Sequence, residues 1–299
     1  MKLAAFDIGG TSLKMGIVTD QGEIVKKEKV EVQESSGKAI LDHILQWVKD
    51  NPECEGIAIS VPGHVDPVSG SISMGGTVRD FDNFNIVDWL TKQSSLPVTV
   101  ENDAHCALLA ERWLGKAQNM ADFLMITIGT GVGGAVFCNN ALVHGKAFRA
   151  GEFGRMLTSR PASDSISQYT MDKTCTMSSL REYYSLHMGC SQEEVSGEEV
   201  FAKYDNGDPI CNRLVITFYQ DICAAIYNLA HIFDPESIFF GGGITAREKF
   251  LEEIEFHLAW FGLEIKLETA THGNDSGMLG ASWYFLQQHG DDGKNRQAP

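Results

Sequence analysis

The first residues whose types suggest chemistry form a glycine-rich run near the start of the chain. Asp7–Thr11 (Asp-Ile-Gly-Gly-Thr) follows an apolar segment, and Lys14 comes three residues later. Glycines let backbone N–H groups approach phosphate oxygens, the Thr11 hydroxyl can donate a further hydrogen bond, and Lys14 can supply a positive charge. Asp7 would repel a phosphate directly and is suited to hold Mg²⁺, itself or through water. The run predicts a phosphate-binding hairpin, and a hairpin without a ligand is the alternative.

Two further glycine clusters extend this pattern. Gly129–Gly134 again joins one apolar segment to another, unlike the strand-to-helix loops of other phosphate-binding motifs. This repetition suggests two related lobes facing each other across a cleft, with one turn from each holding the triphosphate. Gly241–Gly243 follows a third apolar strand, and its bare backbone suits an adenine ring. The residues predicted to bind ATP are Ala5, Phe6, Asp7, Ile8, Gly9, Gly10, Thr11, Lys14, Thr130, Gly131, Gly242 and Gly243.

Polar residues follow another predicted strand, over residues 97–100. Glu101, Asn102 and Asp103 stand between this strand and a predicted helix over 104–114. Ligands of open α/β sheets bind at the carboxyl ends of strands. A hydroxyl that attacks phosphorus needs an acceptor for its proton, and we assign Asp103 as this general base. The alternative is that Asn102 or Asp103 only caps the helix, and both roles are compatible if Asn102 caps while Asp103 points toward a substrate.

Composition narrows the functional class. The chain has 299 residues and a formal net charge of −16, which argues against unaided binding to nucleic acid or to an anionic membrane. No segment suits a signal peptide or a membrane span, so we expect a cytoplasmic protein. The seven cysteines show no paired spacing, and we expect buried, reduced thiols.

The order of elements predicts an α/β protein with two lobes. A β-meander opens the chain, and Asp208-Pro209 predicts the start of a long helix that ends at Phe233. We expect an N-terminal lobe over 1–116, completed by a final helix over about 277–289. A C-terminal lobe is expected over 117–276, and a disordered tail over 290–299.

Together these motifs resemble the actin-like ATPase superfamily, and more narrowly its ROK family. The segments that carry the resemblance are Asp7–Thr11, Ser60–Gly63, Glu101–Asp103, Ile128–Gly134 and Gly151–Gly154, and it spans residues 1 to about 285. It implies a two-lobed actin-like (ribonuclease H-like) fold with a cleft, a homodimer, and phosphorylation of a small sugar by ATP with Mg²⁺. It further implies sugar contacts from Gly63, Asn102, Asp103 and Glu152, with Asp103 as the base.

The chain departs from the family where most members bind a structural zinc. The family's zinc-binding His corresponds to Arg155, only Cys175 remains of three cysteines, and a downstream Glu corresponds to Met177. We therefore predict no zinc. The family's His and Glu also contact the anomeric end of the sugar, so their loss indicates a substituted anomeric oxygen.

The expected substrates are β-glucosides such as cellobiose and gentiobiose, phosphorylated at the 6-hydroxyl of the non-reducing glucose, as in family members with this pattern. Phe81 and Phe84 are candidates to stack on the aglycone, or else are core residues. The alternatives are a kinase of a free hexose (glucose, fructose or an N-acylhexosamine) and a sugar-responsive repressor. The repressor reading is disfavoured because the first motif begins at residue 7, leaving no room for a DNA-binding domain.

Overall fold

The computed structural model describes residues 1–32, 36–162 and 165–290, and residues 291–299 of the predicted disordered tail lie outside them. In chain order its strands and helices are β1 (Lys2–Ile8), β2 (Ser12–Thr19), β3 (Ile24–Glu31), α1 (Gly37–Asp50), β4 (Gly56–Val61), β5 (His64–Asp66), β6 (Ser71–Met74), β7 (Phe84–Asn85), α2 (Ile86–Ser94), β8 (Val98–Asn102), α3 (Asp103–Trp113), β9 (Phe123–Ile128), β10 (Val132–Cys138), β11 (Ala141–Leu142), α4 (Met171–Thr174), α5 (Met177–Met188), α6 (Gly197–Asp205), α7 (Pro209–Phe233), β12 (Ser237–Gly241), α8 (Phe250–Leu258), β13 (Leu267–Thr269) and α9 (Ser276–His289).

The chain divides into two compact units. Unit 1 contains Met1–Met120, His144–Ala150 and the chain from Thr271, and unit 2 contains Ala121–Val143 and Gly151–Ala270. Within the described residues, none of the helices combines the length and apolar character needed to cross a bilayer.

Unit 1 is built on a five-stranded sheet of order β3-β2-β1-β4-β8. The first three strands form the predicted antiparallel meander, and β4 and β8 run parallel to β1. Helices α3 and α9 pack closely together, and a Cβ on Gly280 would lie 1.8 Å from the carbonyl oxygen of Cys106. Only glycine therefore permits this approach of the two helices.

The register of this sheet aligns polar residues at one edge. Asp7 on β1 is paired with Ser60 on β4, and Ser60 is paired with Glu101 on β8. Because the three strands are parallel, these residues lie in one row at the carboxyl ends of the strands, where α/β folds bind ligands.

Unit 2 repeats this sheet plan with the order β11-β10-β9-β12-β13. Strands β9 and β10 form an antiparallel hairpin, while β12 and β13 run parallel to β9. The predicted repetition of strand, glycine turn and strand is confirmed.

The long helix α7 spans the predicted residues, 209–233, because its start is encoded locally. Asp208 accepts hydrogen bonds from the N–H groups of Ile210 and Cys211, and Pro209 occupies the first turn. One face of the helix is buried through Val215, Phe218, Ile222, Ile226 and Leu229.

Candidate active site

The first glycine-rich run is a hairpin between β1 and β2 that carries a charged pair. Lys14 Nζ lies 2.9 Å from Asp7 Oδ2, and the Ser60 hydroxyl donates to Asp7 Oδ1 at 2.8 Å. The Asp7 side chain retains 16 % exposure, and Thr11 at the tip is exposed. The hairpin thus presents a fixed, partly exposed carboxylate close to an exposed tip, an arrangement that suits a metal-bound phosphate.

The other residues that were predicted to bind ATP, on β1 and in the turn after it, form the framework of the hairpin. The side chains of Ala5, Phe6 and Ile8 are fully buried in the core of unit 1 and offer no surface to a ligand. Gly9 closes the turn, since its N–H donates to the carbonyl of Ser12 at 2.9 Å. A Cβ on Gly10 would lie 3.0 Å from Thr77, so the turn packs against the segment that follows β6.

Asn102 and Asp103 divide the two roles that the sequence left open. Asn102 is the N-cap of α3, with Oδ1 accepting from the N–H groups of Ala104 and His105, and its Nδ2 donates to the carbonyl of Gly63 at 3.0 Å. Asp103 is the first residue of the helix and is exposed. Gly63 has φ +98°, and a Cβ there would lie 2.0 Å from the carbonyl oxygen of Met74. The backbone that leads to Asp103 is therefore fixed while its carboxylate stays accessible.

Directly beneath this helix start lies a buried cluster that sequence analysis missed. The carboxylate of Glu101 contacts His105 Nδ1 at 2.9 Å and His144 Nε2 at 2.7 Å. Burial alone would raise the pKa of Glu101, but the positive charge and hydrogen bond of His105, together with His144, lower it to about 2. Burial likewise opposes protonation of His105, but Glu101 raises its pKa above the usual value. The three residues are also of metal-ligating types, with their ligand atoms within 4.8 Å of one another.

In unit 2 the second glycine turn is braced by Asp172, which sequence analysis also missed. Its Oδ1 accepts from the N–H of Val132 at 2.8 Å, and a Cβ on Gly154 would lie 2.4 Å from the same oxygen. The turn itself is open: Thr130 is exposed, and a Cβ on Gly129 would meet nothing within 4 Å. Asp172 thus joins the turn to the segment that contains Glu152.

Glu152 lies half-buried in a segment held against β10. Its neighbour Gly151 has φ +85°, and a Cβ there would lie 2.6 Å from the carbonyl oxygen of Gly134. The Arg155 guanidinium lies 3.4 Å from Glu152 and is exposed. Cys175 is fully buried, and Met177 packs against the core of unit 2. The absence of a structural zinc stays a prediction.

Gly242 and Gly243 have different structural roles. Gly242 has φ +85°, and a Cβ there would lie 2.3 Å from the carbonyl oxygen of Ile128. Gly243 has open space around its Cβ position and borders a cavity of about 890 Å³. The remaining walls of this cavity come from α5, from residues Glu193–Ser196, from α6 and from the segment after β12, and they include Arg181, Asp205 and Arg247. Its size suits a nucleoside.

Arg247 holds one wall of the cavity in place. Its guanidinium pairs with Asp205 and Glu253 and lies 4.5 Å from the ring centre of Phe201. No motif in the sequence pointed to Arg247. Its partners Asp205 and Glu253 are 42 and 6 residues away from it along the chain.

The structure decides between the two alternatives for Phe81, an aglycone contact or a core residue. Phe81 is 1 % exposed and stacks against Phe84, with ring centres 5.7 Å apart and an interplanar angle of 15°. Phe84 is itself partly buried against the same core. Phe81 is therefore a core residue, the second of the two alternatives, and has no exposed face to stack on an aglycone.

Known proteins match the whole chain. The ROK family profile matches residues 3–288. A β-glucoside kinase of Klebsiella pneumoniae is 52 % identical over 96 % of this chain and 97 % of its own length. A solved structure from Listeria monocytogenes, described as a candidate N-acetylmannosamine kinase, is 50 % identical, with a TM-score of 0.94 over 96 % of this chain and 99 % of that one. A ROK glucokinase of Streptomyces griseus in complex with glucose and AMPPNP is 25 % identical, with a TM-score of 0.79 over 94 % and 98 %.

The fold and these matches define a sugar kinase, a phosphotransferase with the two-lobed actin-like ATPase fold. The chain belongs to the ROK family. The predictions of fold class, family and enzyme class are confirmed.

Proposed function

We propose that this sugar kinase transfers the γ-phosphoryl group of ATP to the 6-hydroxyl of the non-reducing glucose of β-glucosides, with Asp103 as general base. The observation that carries the mechanism is the placement of Asp103. It is exposed at the N-terminus of α3, one residue after an asparagine that both caps the helix and holds Gly63.

This placement suits proton removal. The N-terminus of a helix favours a negative charge, and an ionised carboxylate at that position can accept a proton. As the sugar oxygen forms its bond to the γ-phosphorus, the bond between that phosphorus and the bridging oxygen of ADP breaks, and the hydroxyl proton passes to Asp103. Gly63, Asn102 and Glu152 are assigned to hold the sugar hydroxyls in position for this attack.

The nucleotide is assigned to three glycine turns. The hairpin Asp7–Thr11 with Lys14 and the turn at Thr130 and Gly131 would hold the phosphates, and Gly242 and Gly243 the adenosine beside the 890 Å³ cavity. The AMPPNP in the Streptomyces griseus glucokinase supports ATP as the donor. Asp7 suits Mg²⁺ because it offers a partly exposed carboxylate, oriented by Ser60 and Lys14. When bound, Mg²⁺ neutralises phosphate charge.

The proposed choice of substrate rests on two positions at which the chain differs from the family pattern. Arg155 and Met177 stand where most family members have polar partners of the anomeric hydroxyl. A site without these partners gains nothing from a free anomeric hydroxyl and accepts one that carries a second group. The 52 % identity to a β-glucoside kinase supports the same choice.

The test is a kinetic comparison of cellobiose, gentiobiose, methyl β-glucoside and glucose with ATP. We expect kcat/KM for the glucosides to exceed that for glucose by at least about tenfold, the discrimination that one or two lost contacts produce. Phosphate at the 6-position should be located by NMR of the product. A preference for glucose would overturn the proposal.

A second candidate is an N-acylhexosamine kinase, which the description of the Listeria monocytogenes structure favours. N-Acetylmannosamine and N-acetylglucosamine therefore belong in the same kinetic series. Turnover of either above that of cellobiose would select this function.

A further inference from the structure

We propose that Glu101, His105 and His144 are positioning residues: a buried carboxylate that bridges two imidazoles and thereby fixes the start of α3, with Asp103, to the segment His144–Ala150. The inference rests on the proposed role of Asp103 for its effect on turnover, but the bridge itself is defined by contacts within unit 1.

The Glu101 carboxylate accepts three hydrogen bonds. Its Oε1 accepts from the N–H of Asn102 at 2.8 Å and from His105 Nδ1 at 2.9 Å, and its Oε2 accepts from His144 Nε2 at 2.7 Å. The side chain of Glu101 is fully buried and that of His105 is 5 % exposed. A buried carboxylate with three such donors is stable only while they stay in place, so the contacts constrain one another.

His105 faces an acceptor with each ring nitrogen. Nδ1 points to the Glu101 carboxylate, and Nε2 lies 3.4 Å from the carbonyl oxygen of Ala150. An acceptor on both sides favours a proton on both nitrogens, the imidazolium form of His105. The buried pair is then neutral overall, and removing one partner would leave an uncompensated charge.

The distances within this cluster are those of hydrogen bonds and are shorter than the distances between two ligand atoms of one metal ion. Ligand atoms around a tetrahedral Zn²⁺, each at about 2.0–2.1 Å from the ion, lie about 3.3 Å apart. The contacts of Glu101 with the two histidines, at 2.9 and 2.7 Å, are hydrogen-bond lengths.

The bridge connects the start of α3, which is assigned to the sugar, with a segment that precedes Glu152 in the chain. On one side, Asn102 and His105 belong to the capped start of α3 that presents Asp103. On the other, the N–H of Ala150 donates to the carbonyl of His144 at 3.1 Å, which closes the segment on itself. Ala150 lies two residues before Glu152 in the chain. A shift of either segment would move a group that must be placed to a fraction of an ångström.

The kinetic test uses two substitutions of His144. His144→Ala removes the donor to Glu101, whereas His144→Gln keeps an N–H near the position of Nε2. With cellobiose, or with whichever sugar the kinetic series selects, we expect Ala to lower kcat about tenfold or more with the KM for ATP within about twofold. His144→Gln should restore most of the lost activity. The control is His43→Ala, at an exposed position on α1, which should have the kcat of the wild type. Equal turnover in all variants, or a Gln variant as slow as Ala, would overturn the proposal.

A second measurement is independent of turnover. In ¹⁵N spectra of the intact protein at pH 7, His105 should carry protons on both nitrogens. Amide exchange in residues 144–150 should be faster in His144→Ala than in the wild type. A neutral His105, unchanged exchange, or stoichiometric zinc that disappears with His144→Ala would each contradict the bridge. Normal turnover of Asp103→Asn would instead refute only the assignment of the base.

Discussion

The two glycine-rich hairpins share one frame and carry different side chains. In unit 1, the second residue pair from the turn is Asp7 opposite Lys14, and the next strand contributes Ser60 beside Asp7. In unit 2, the corresponding pair is Thr127 opposite Gly133, and the next strand contributes Gly241. The two sheets thus have the same strand order, but these positions have charged side chains in unit 1 and mostly glycine in unit 2.

This difference indicates a division of labour. Charged groups at the carboxyl ends of β1 and β8, with Ser60 on β4 between them, suit metal-phosphate binding and proton transfer. Bare backbone at the ends of β9 and β12 leaves room for a nucleotide. Substitutions at corresponding positions of the two hairpins should therefore differ in the size of their effect on activity.

The largest effect is expected at the base. Asp103→Asn should lower kcat by at least about 10², as loss of a general base does, with the sugar KM within a few-fold. Steady-state kinetics on the substituted enzyme measures this, and Asp42→Asn on the exposed face of α1 is the control. Near-normal turnover would refute the assignment of Asp103 as the general base.

The next effect is expected at the charged hairpin. Asp7→Asn should lower kcat/KM for ATP by about 10–10² and raise the Mg²⁺ concentration needed for half-maximal rate, because a charged ligand becomes neutral. Thr127→Val, at the corresponding position of unit 2, should change the same constant by less than about threefold. Similar losses in both variants would break the comparison between the hairpins.

Glu152 extends the comparison to the sugar. Glu152→Ala should raise the sugar KM by about tenfold, as expected for one lost hydrogen bond to a charged group, with a smaller change in kcat. The measurement is the sugar dependence of the rate at saturating ATP. An unchanged KM would place sugar binding in unit 1 alone.

Substitutions of the adjacent glycines Gly242 and Gly243 should have different effects, one on stability and the other on ATP binding. Gly243→Val should raise the KM for ATP a few-fold at normal stability, because the Cβ position is open and borders the cavity. Gly242→Ala should lower the free energy of unfolding by about 1–3 kcal/mol, because φ is +85° and Ile128 blocks the Cβ. Denaturant unfolding and ATP titrations of both variants test this, and the reverse pattern would contradict it.

The smallest effect is a pH dependence of stability at His105. Because its folded pKa is raised, the contribution of His105 to stability is complete below its unfolded pKa of about 6.5 and declines as pH rises through the folded value. Glu101, with a folded pKa of about 2, contributes throughout this range. The stability lost in His105→Asn should be greater at about pH 6 than at about pH 9, as urea unfolding would show. An equal loss at both pH values would argue against the raised pKa.

The sequence by itself determined the elements whose signals are local. Asp208 and Pro209 start α7 through contacts within one helical turn, and the glycine runs place both hairpins because few other residues turn a chain so tightly. The order of motifs was enough for the family and the enzyme class, since each motif is a short continuous segment.

Tertiary structure alone decided which distant residues meet. His144 reaches Glu101 across 43 positions and Asp172 reaches Val132 across 40, and neither contact leaves a periodic pattern in the sequence. Phe81 was open to two readings until the packing showed it in the core. Burial and long-range hydrogen bonds depend on how the segments pack. The sequence was therefore enough to propose Asp103 as the base, but only the fold showed the cluster of Glu101, His105 and His144 next to it.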